Sequence, residues 1–117
     1  MQEQIKRRTK QIGLDIITLI GELPDNSIVW NISNQLSRCS TSIGANYRAA
    51  CRAKSTADFI NKLKNVEEEA DETLYWLEVL EESDLIRPER IVEIKGEVNE
   101  IISIVVASIR TSRRKKT

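Results

Sequence analysis

The chain has 117 residues, of which 40% are hydrophobic and 31% charged, values that suit one folded domain with one core and exclude an intrinsically disordered chain. Two Pro, four Gly and 4% aromatics are too few for a β-sandwich, so composition points to helices. Eighteen Lys/Arg cancel eighteen Asp/Glu, yet residues 35–65 hold six basic and one acidic side chain, 66–97 three basic and twelve acidic, and 98–117 five basic and one acidic, so a neutral total conceals surfaces of both signs.

The first predicted helix runs from about Glu3 to Glu22, with Ile5, Ile12, Ile16, Leu19, Ile20 and Leu23 apolar. Gly21 and Pro24 stop it, and Pro24-Asp25-Asn26-Ser27 is a turn cluster. The second runs from about Ile28 to Ala53, capped by Ser27 or Asn26. Its stripe, at spacings of three and four, is Ile32, Leu36, Cys39, Ile43, Tyr47 and Ala50. The third opens at Ser55, which with Asp58 has capping-box spacing, and ends near Ser83. Phe59, Leu63, Val66, Ala70, Leu74, Leu77 and Leu80 make its stripe. The fourth starts near Pro88, a residue suited to a first helical position, and buries Ile91, Ile94, Val98, Ile101, Val105 and Ile109.

Short loops make consecutive helices antiparallel neighbours, so the fold class is all-α, an up-and-down four-helix bundle over residues 1–112. Residues 113–117 read as a frayed basic tail. The competing arrangement, a long helical hairpin that dimerises, fits less well with the turn signals at Pro24 and Pro88. No signal peptide is read at the start, and the apolar run Ile101 to Ile109 falls far short of the ~20 residues of a membrane span. A cytoplasmic protein with no membrane partner is therefore expected. Cys39 and Cys51 agree with that. They lie about 18 Å apart along one helix, too far for a disulfide.

Gly13, Gly44 and Gly96 fall inside helices, where each costs about 1 kcal/mol relative to Ala. Close backbone approach is the usual compensation. Ser33, Ser37, Thr41 and Gly44 form one small-residue strip, and Gly96, Asn99, Ser103 and Ala107 another. Either tight packing inside the bundle or a subunit interface explains them. Gly44, Trp76, Gly96 and Ser103 are the candidate interface residues. Trp76 lies off the apolar stripe, in line with Glu69, Glu72 and Thr73, where it either caps the bundle edge or meets a partner. Trp30 is similar.

No His occurs, which removes Ser-His-Asp triads, His-based acid–base work and the Glu-x-x-His pairs of di-iron bundles. Two Cys without His do not make a zinc site, and no phosphate-binding glycine loop appears. Glu67, Glu68, Glu69, Asp71 and Glu72 point in successive directions about 100° apart on one helix and cannot converge on one cation. No catalytic residue, cofactor or metal is therefore assigned. With the second and third helices antiparallel about Ala53 and Lys54, Arg38 comes level with Glu68 and Glu69, and an inter-helix ion pair is expected there. The candidate nucleic-acid-binding residues are Arg38, Arg48, Arg52, Lys54, Arg113, Arg114, Lys115 and Lys116, because clustered cations neutralise phosphates.

Two segments carry a family resemblance: Ser42-Ile43-Gly44-Ala45-Asn46-Tyr47-Arg48-Ala49-Ala50-Cys51-Arg52-Ala53-Lys54-Ser55, and Ala57-Asp58-Phe59-Ile60-Asn61-Lys62-Leu63 with the following Val66-Glu67-Glu68-Glu69-Ala70-Asp71-Glu72 and Leu74-Tyr75-Trp76-Leu77-Glu78. The chain resembles the bacterial four-helix-bundle proteins encoded within 23S rRNA intervening sequences. The resemblance implies a homopentamer around a pore. It also implies kinship with the nucleic-acid-binding accessory protein of diversity-generating retroelements. On that basis the expected protein is a non-enzymatic, oligomeric scaffold whose partners are copies of itself and an RNA or ribonucleoprotein held by Arg38, Arg48 and Arg52 with Lys54. The alternative is an oligomeric protein–protein adaptor with no nucleic-acid role.

Overall fold

The computed structural model describes residues 1–116, except the side chain of Lys116; Thr117 lies outside the described residues. Four helices follow one another: α1 (Gln2–Gly21), α2 (Ser27–Cys51), α3 (Thr56–Glu82) and α4 (Pro88–Lys116). Each packs on its neighbours in the order α1, α2, α3, α4, with α1 and α4 meeting least closely. The result is an up-and-down bundle, 51 × 21 × 20 Å. No strand occurs among the described residues.

The apolar stripes turn inward. Ile12, Ile16, Leu19, Leu36, Ile43, Leu63, Leu77, Leu80, Ile91, Val98 and Ile101 are essentially inaccessible to solvent. Truncating one such side chain to Ala costs about 2–5 kcal/mol. The α3 stripe differs from expectation at two positions. Ile60 and Thr73 are buried, while Phe59 and Leu74 are only half-buried on the flanks. Thr73 enters the core because its hydroxyl donates to the Glu69 carbonyl at 2.8 Å. The same device lets Thr9 in α1 be buried, its hydroxyl donating to Ile5 O at 2.8 Å. A hydroxyl satisfied by its own helix leaves little polarity to desolvate.

The turns follow the sequence signals closely. Asn26 caps α2, its side chain accepting from Val29 N–H at 2.9 Å. Ser55 caps α3, accepting from Asp58 N–H at 3.1 Å. The reciprocal half of the capping box is shifted by one residue, since the Asp58 carboxylate accepts from Lys54 N–H rather than from Ser55. Asp84 follows the α3 cap with φ 59°, a left-handed turn that Asp tolerates better than most residues. At the far end α4 is helical through Lys116.

The glycines separate by environment. A Cβ on Gly44 would stand 3.3 Å from Lys10 N and 3.4 Å from Lys10 Cα and Thr9 C, all α1 backbone. One on Gly13 would meet Thr41 at 3.3 Å. Close approach of α1 and α2 therefore accounts for both within one chain. Gly96 is exposed with open space beside it, so nothing in the chain accounts for it. Gly96→Ala should stabilise the chain by about 0.5–1 kcal/mol, and Gly44→Ala should destabilise it. Urea unfolding of the two variants checks the contrast.

Candidate nucleic-acid interface at one end of the bundle

Antiparallel packing collects chain segments that are distant in sequence. One end gathers the start of α1, the end of α2, the start of α3 and the end of α4. The half of the bundle on that side, residues 1–11, 40–68 and 103–116, holds fourteen Lys/Arg and four Asp/Glu. The other half, residues 12–39 and 69–102, holds four Lys/Arg and fourteen Asp/Glu. Each end carries two helix N-termini and two C-termini, so the helix dipoles largely cancel and side-chain charge sets the polarity.

At the basic end, Arg48 on the last turn of α2 and Arg52 at its C-cap stand exposed, and Lys54 is exposed in the turn that follows. The guanidinium groups of Arg48 and Arg52 make no hydrogen bond or ion pair among the described residues. Lys54 and Lys115 border a shallow notch of about 320 Å³, with Gln2, Ser55 and Phe59 along its wall. Arg113, Arg114 and Lys115 are exposed on the last turns of α4, beside this notch. Asp58 adds one negative group nearby. Its carboxyl is held below the ordinary range, first by the Lys62 ammonium and then by Lys54 N–H. The structure thus brings Arg48, Arg52, Lys54 and the α4 cations to one end of the bundle.

Arg38 belongs elsewhere. It sits near the middle of α2 and pairs with Glu72 and, at 3.6 Å, with Glu69 on α3. The expected ion pair forms, with Glu72 in place of Glu68. Glu69 and Glu72 share one face of α3, whereas Glu68 points about 100° away from Glu69 and is exposed. Already paired, the Arg38 guanidinium is a poorer phosphate ligand than Arg48 or Arg52. Trp76 donates from Nε1 to Glu72 at 3.4 Å and stacks edge-to-face on Tyr75 at 5.1 Å. Its ring lies half-buried against the core, covering the bundle edge. Ser103 is exposed and donates to its own helix at Asn99 O, 3.2 Å away.

Sequence inspection passed over the α1 cations. Lys6, Arg7 and Lys10 lie on the basic half, and the cue available was the antiparallel pairing of α1 with α2. Arg8 was also passed over. It bridges α1 to α4 through Glu97 and Glu100, each at 2.8 Å. Arg90 and Glu22 add a second bridge at 2.9 Å. Arg90 and Glu97, one member of each bridge, line a cleft of about 540 Å³ between the two helices, with Gln11, Asp15 and Glu93 on its walls.

Other reactive groups are few. Cys39 is buried with its sulfur 3.3 Å from the Thr73 hydroxyl oxygen, and burial pushes the thiol up. The Tyr47 phenol is pushed up to about 12 by burial next to Cys51. No group of three or more Cys, Asp or Glu among the described residues is arranged to hold a metal ion. No described helix is long and apolar enough to cross a membrane.

Fold and charge together define a class: a small antiparallel four-helix bundle with one strongly basic end. The family model described as 23S rRNA-intervening sequence protein matches residues 1–107, and the chain belongs to that family. It is similar to a crystallised protein of unknown function from the S23 ribosomal protein family of Bacteroides thetaiotaomicron. The two share 36% identity and a TM-score of 0.85, over 94% of this chain and 99% of the other. No curated protein matches the chain.

The Glu97 carboxyl is held below its ordinary value by the hydrogen bond from Arg8. A carboxyl lowered on folding stabilises the fold above its unfolded value, 4.5 for this Glu, and the contribution fades as pH falls through the folded value. Glu97 is about a third exposed, so solvent screening limits the effect to at most about 1 kcal/mol. Glu97→Gln should therefore lower stability at pH 7 and flatten its acid dependence below pH 4.5. Chemical denaturation at a series of pH values measures both.

Proposed function

We propose that this chain is a non-enzymatic cytoplasmic scaffold, assembled as a homopentamer, whose basic end binds RNA or a ribonucleoprotein. The observation that carries the reading is the gathering of Arg48, Arg52, Lys54 and the α4 cations at one end, with the Arg48 and Arg52 guanidiniums unengaged. Cations held by an ion pair must break it before meeting a phosphate. Unpaired ones release only counterions, which makes binding favourable and salt-dependent. Repetition in an oligomer supports the same reading, because a ring places copies of one modest patch around a single axis. Membership of a family defined by 23S rRNA intervening sequences points the same way. The acidic half confines this role to one end, since it repels a polyanion.

Fluorescence anisotropy of a labelled structured RNA, titrated at 50 and 200 mM salt, provides the test. Affinity should fall with salt, with a log–log slope of about −3 to −4 for four or five phosphate contacts. The Arg48→Glu/Arg52→Glu variant should bind more weakly, with a slope shallower by about two. Absence of binding at low salt, or a double variant that binds like the parent, contradicts the proposal.

A further inference from the structure

The five aromatic side chains differ sharply in their surroundings. Trp30 is exposed at the acidic end, in a hollow shared with Asp25. Tyr75 lies beside Asp71 and Glu78, and Trp76 is engaged by Glu72. Tyr47 is buried in the core. Phe59 alone combines an accessible ring with a basic setting. It sits on the first turn of α3, where Ile60 takes the core position and leaves Phe59 half-buried on the flank. A polyanion can approach this ring, whereas acids surround or engage the other accessible aromatics.

Phe59 forms part of the wall of the 320 Å³ notch at the basic end. Ala50, Cys51 and Ala53 line the same notch, and their short side chains leave space that larger ones would fill. The volume lies near the lower limit of ligand pockets, about 300–1,000 Å³, so it suits one small flat group. Lys54 and Lys115 border the notch, and no acid lines it. Neither lysine forms an ion pair among the described residues. Asp58, the acid in the first turn of α3, is already engaged by Lys62 at 2.7 Å. Gln2, Ser55 and Ser112 add groups that both donate and accept hydrogen bonds.

We infer that this notch holds one unpaired nucleotide of an RNA, its base stacked on the Phe59 ring and its flanking phosphates met by Lys54 and Lys115. This names the ligand of the basic end more closely and rests on the RNA-binding reading. An aromatic ring ringed by cations matches a nucleotide in both of its parts, since every base has a π-face and every linkage a negative charge. A base inside a duplex is covered by its neighbours on both faces, so only an unpaired one can enter. The polar groups of the wall can satisfy any base edge, which makes the notch selective for unpaired structure rather than for sequence. Arg48 and Arg52 stay free for the phosphates of the adjoining strand.

Fluorescence anisotropy at low salt compares two labelled RNAs, a hairpin with a short unpaired tail and the same hairpin with an abasic tail. The abasic tail keeps the phosphates and removes the bases. The parent protein should bind the base-bearing tail about tenfold more tightly. Phe59→Leu, which keeps an apolar side chain against the core, should erase most of that preference and leave affinity for the abasic tail unchanged. Phe59→Trp should retain the preference, because it restores a π-face. Lys54→Ala/Lys115→Ala should weaken both RNAs alike. Circular dichroism checks the fold of each variant, and the comparison of tails on the parent needs no variant. Equal affinity of the parent for the two tails, or a preference that survives in Phe59→Leu, overturns the stacked nucleotide and leaves the basic-end reading standing. Failure of the parent to bind either RNA overturns both.

Discussion

Four apolar stripes hide from water in a single column running the length of the bundle, and the rest of the molecule follows from that burial. Ile12 and Ile16, Leu36 and Ile43, Leu63 and Leu77, and Val98 and Ile101 each line one quarter of the column. A stripe of this kind cannot be satisfied by its own helix, and short turns leave antiparallel neighbours as the packing solution. Once that topology is fixed, the ends of the helices are fixed with it. Charges scattered over four segments then sort into a basic half and an acidic half. The polarity is a consequence of core packing, although no core residue is charged.

The four seams of the bundle are held by different means. At α1–α2 the backbones approach so closely that glycine is required at position 44. At α2–α3 and α3–α4, broad apolar contact dominates, with Arg38 and Lys95 pairing across the rims. At α1–α4 the helices touch least, and Arg8 and Arg90 span the gap to Glu97, Glu100 and Glu22. Exposed ion pairs are worth little individually, typically up to about 1 kcal/mol. The α1–α4 seam is accordingly the one whose strength responds most to pH and salt, while the glycine seam responds to neither.

Function, on this reading, is distributed over surfaces rather than concentrated in a pocket. In the proposed function the basic end addresses a polyanion, a task that needs no catalytic group. Thr9 and Thr73 show the complementary economy inside the molecule, where polar atoms enter the core only when their own helix satisfies them.

Much of the fold was legible in the sequence because helical periodicity is a local property. The four spans, the stop at Pro24, the start at Pro88, the Ser55 cap and the stripes of α1, α2 and α4 all follow from residues within a turn or two of one another. The α3 stripe slipped at Phe59 and Leu74 because hydrophobicity alone does not reveal that a Thr hydroxyl can be silenced by the carbonyl four residues earlier. The candidate cations were legible as residues but not as a site. Arg38 and Arg48 look alike in the sequence, and only packing shows that Glu72 engages the first and leaves the second open. The same holds for Gly44 and Gly96, equal in propensity and opposite in surroundings. Local chemistry determined which segments are helical and which faces are apolar. The tertiary structure decided which charges meet, because distances between segments far apart in the chain exist only once the bundle has closed.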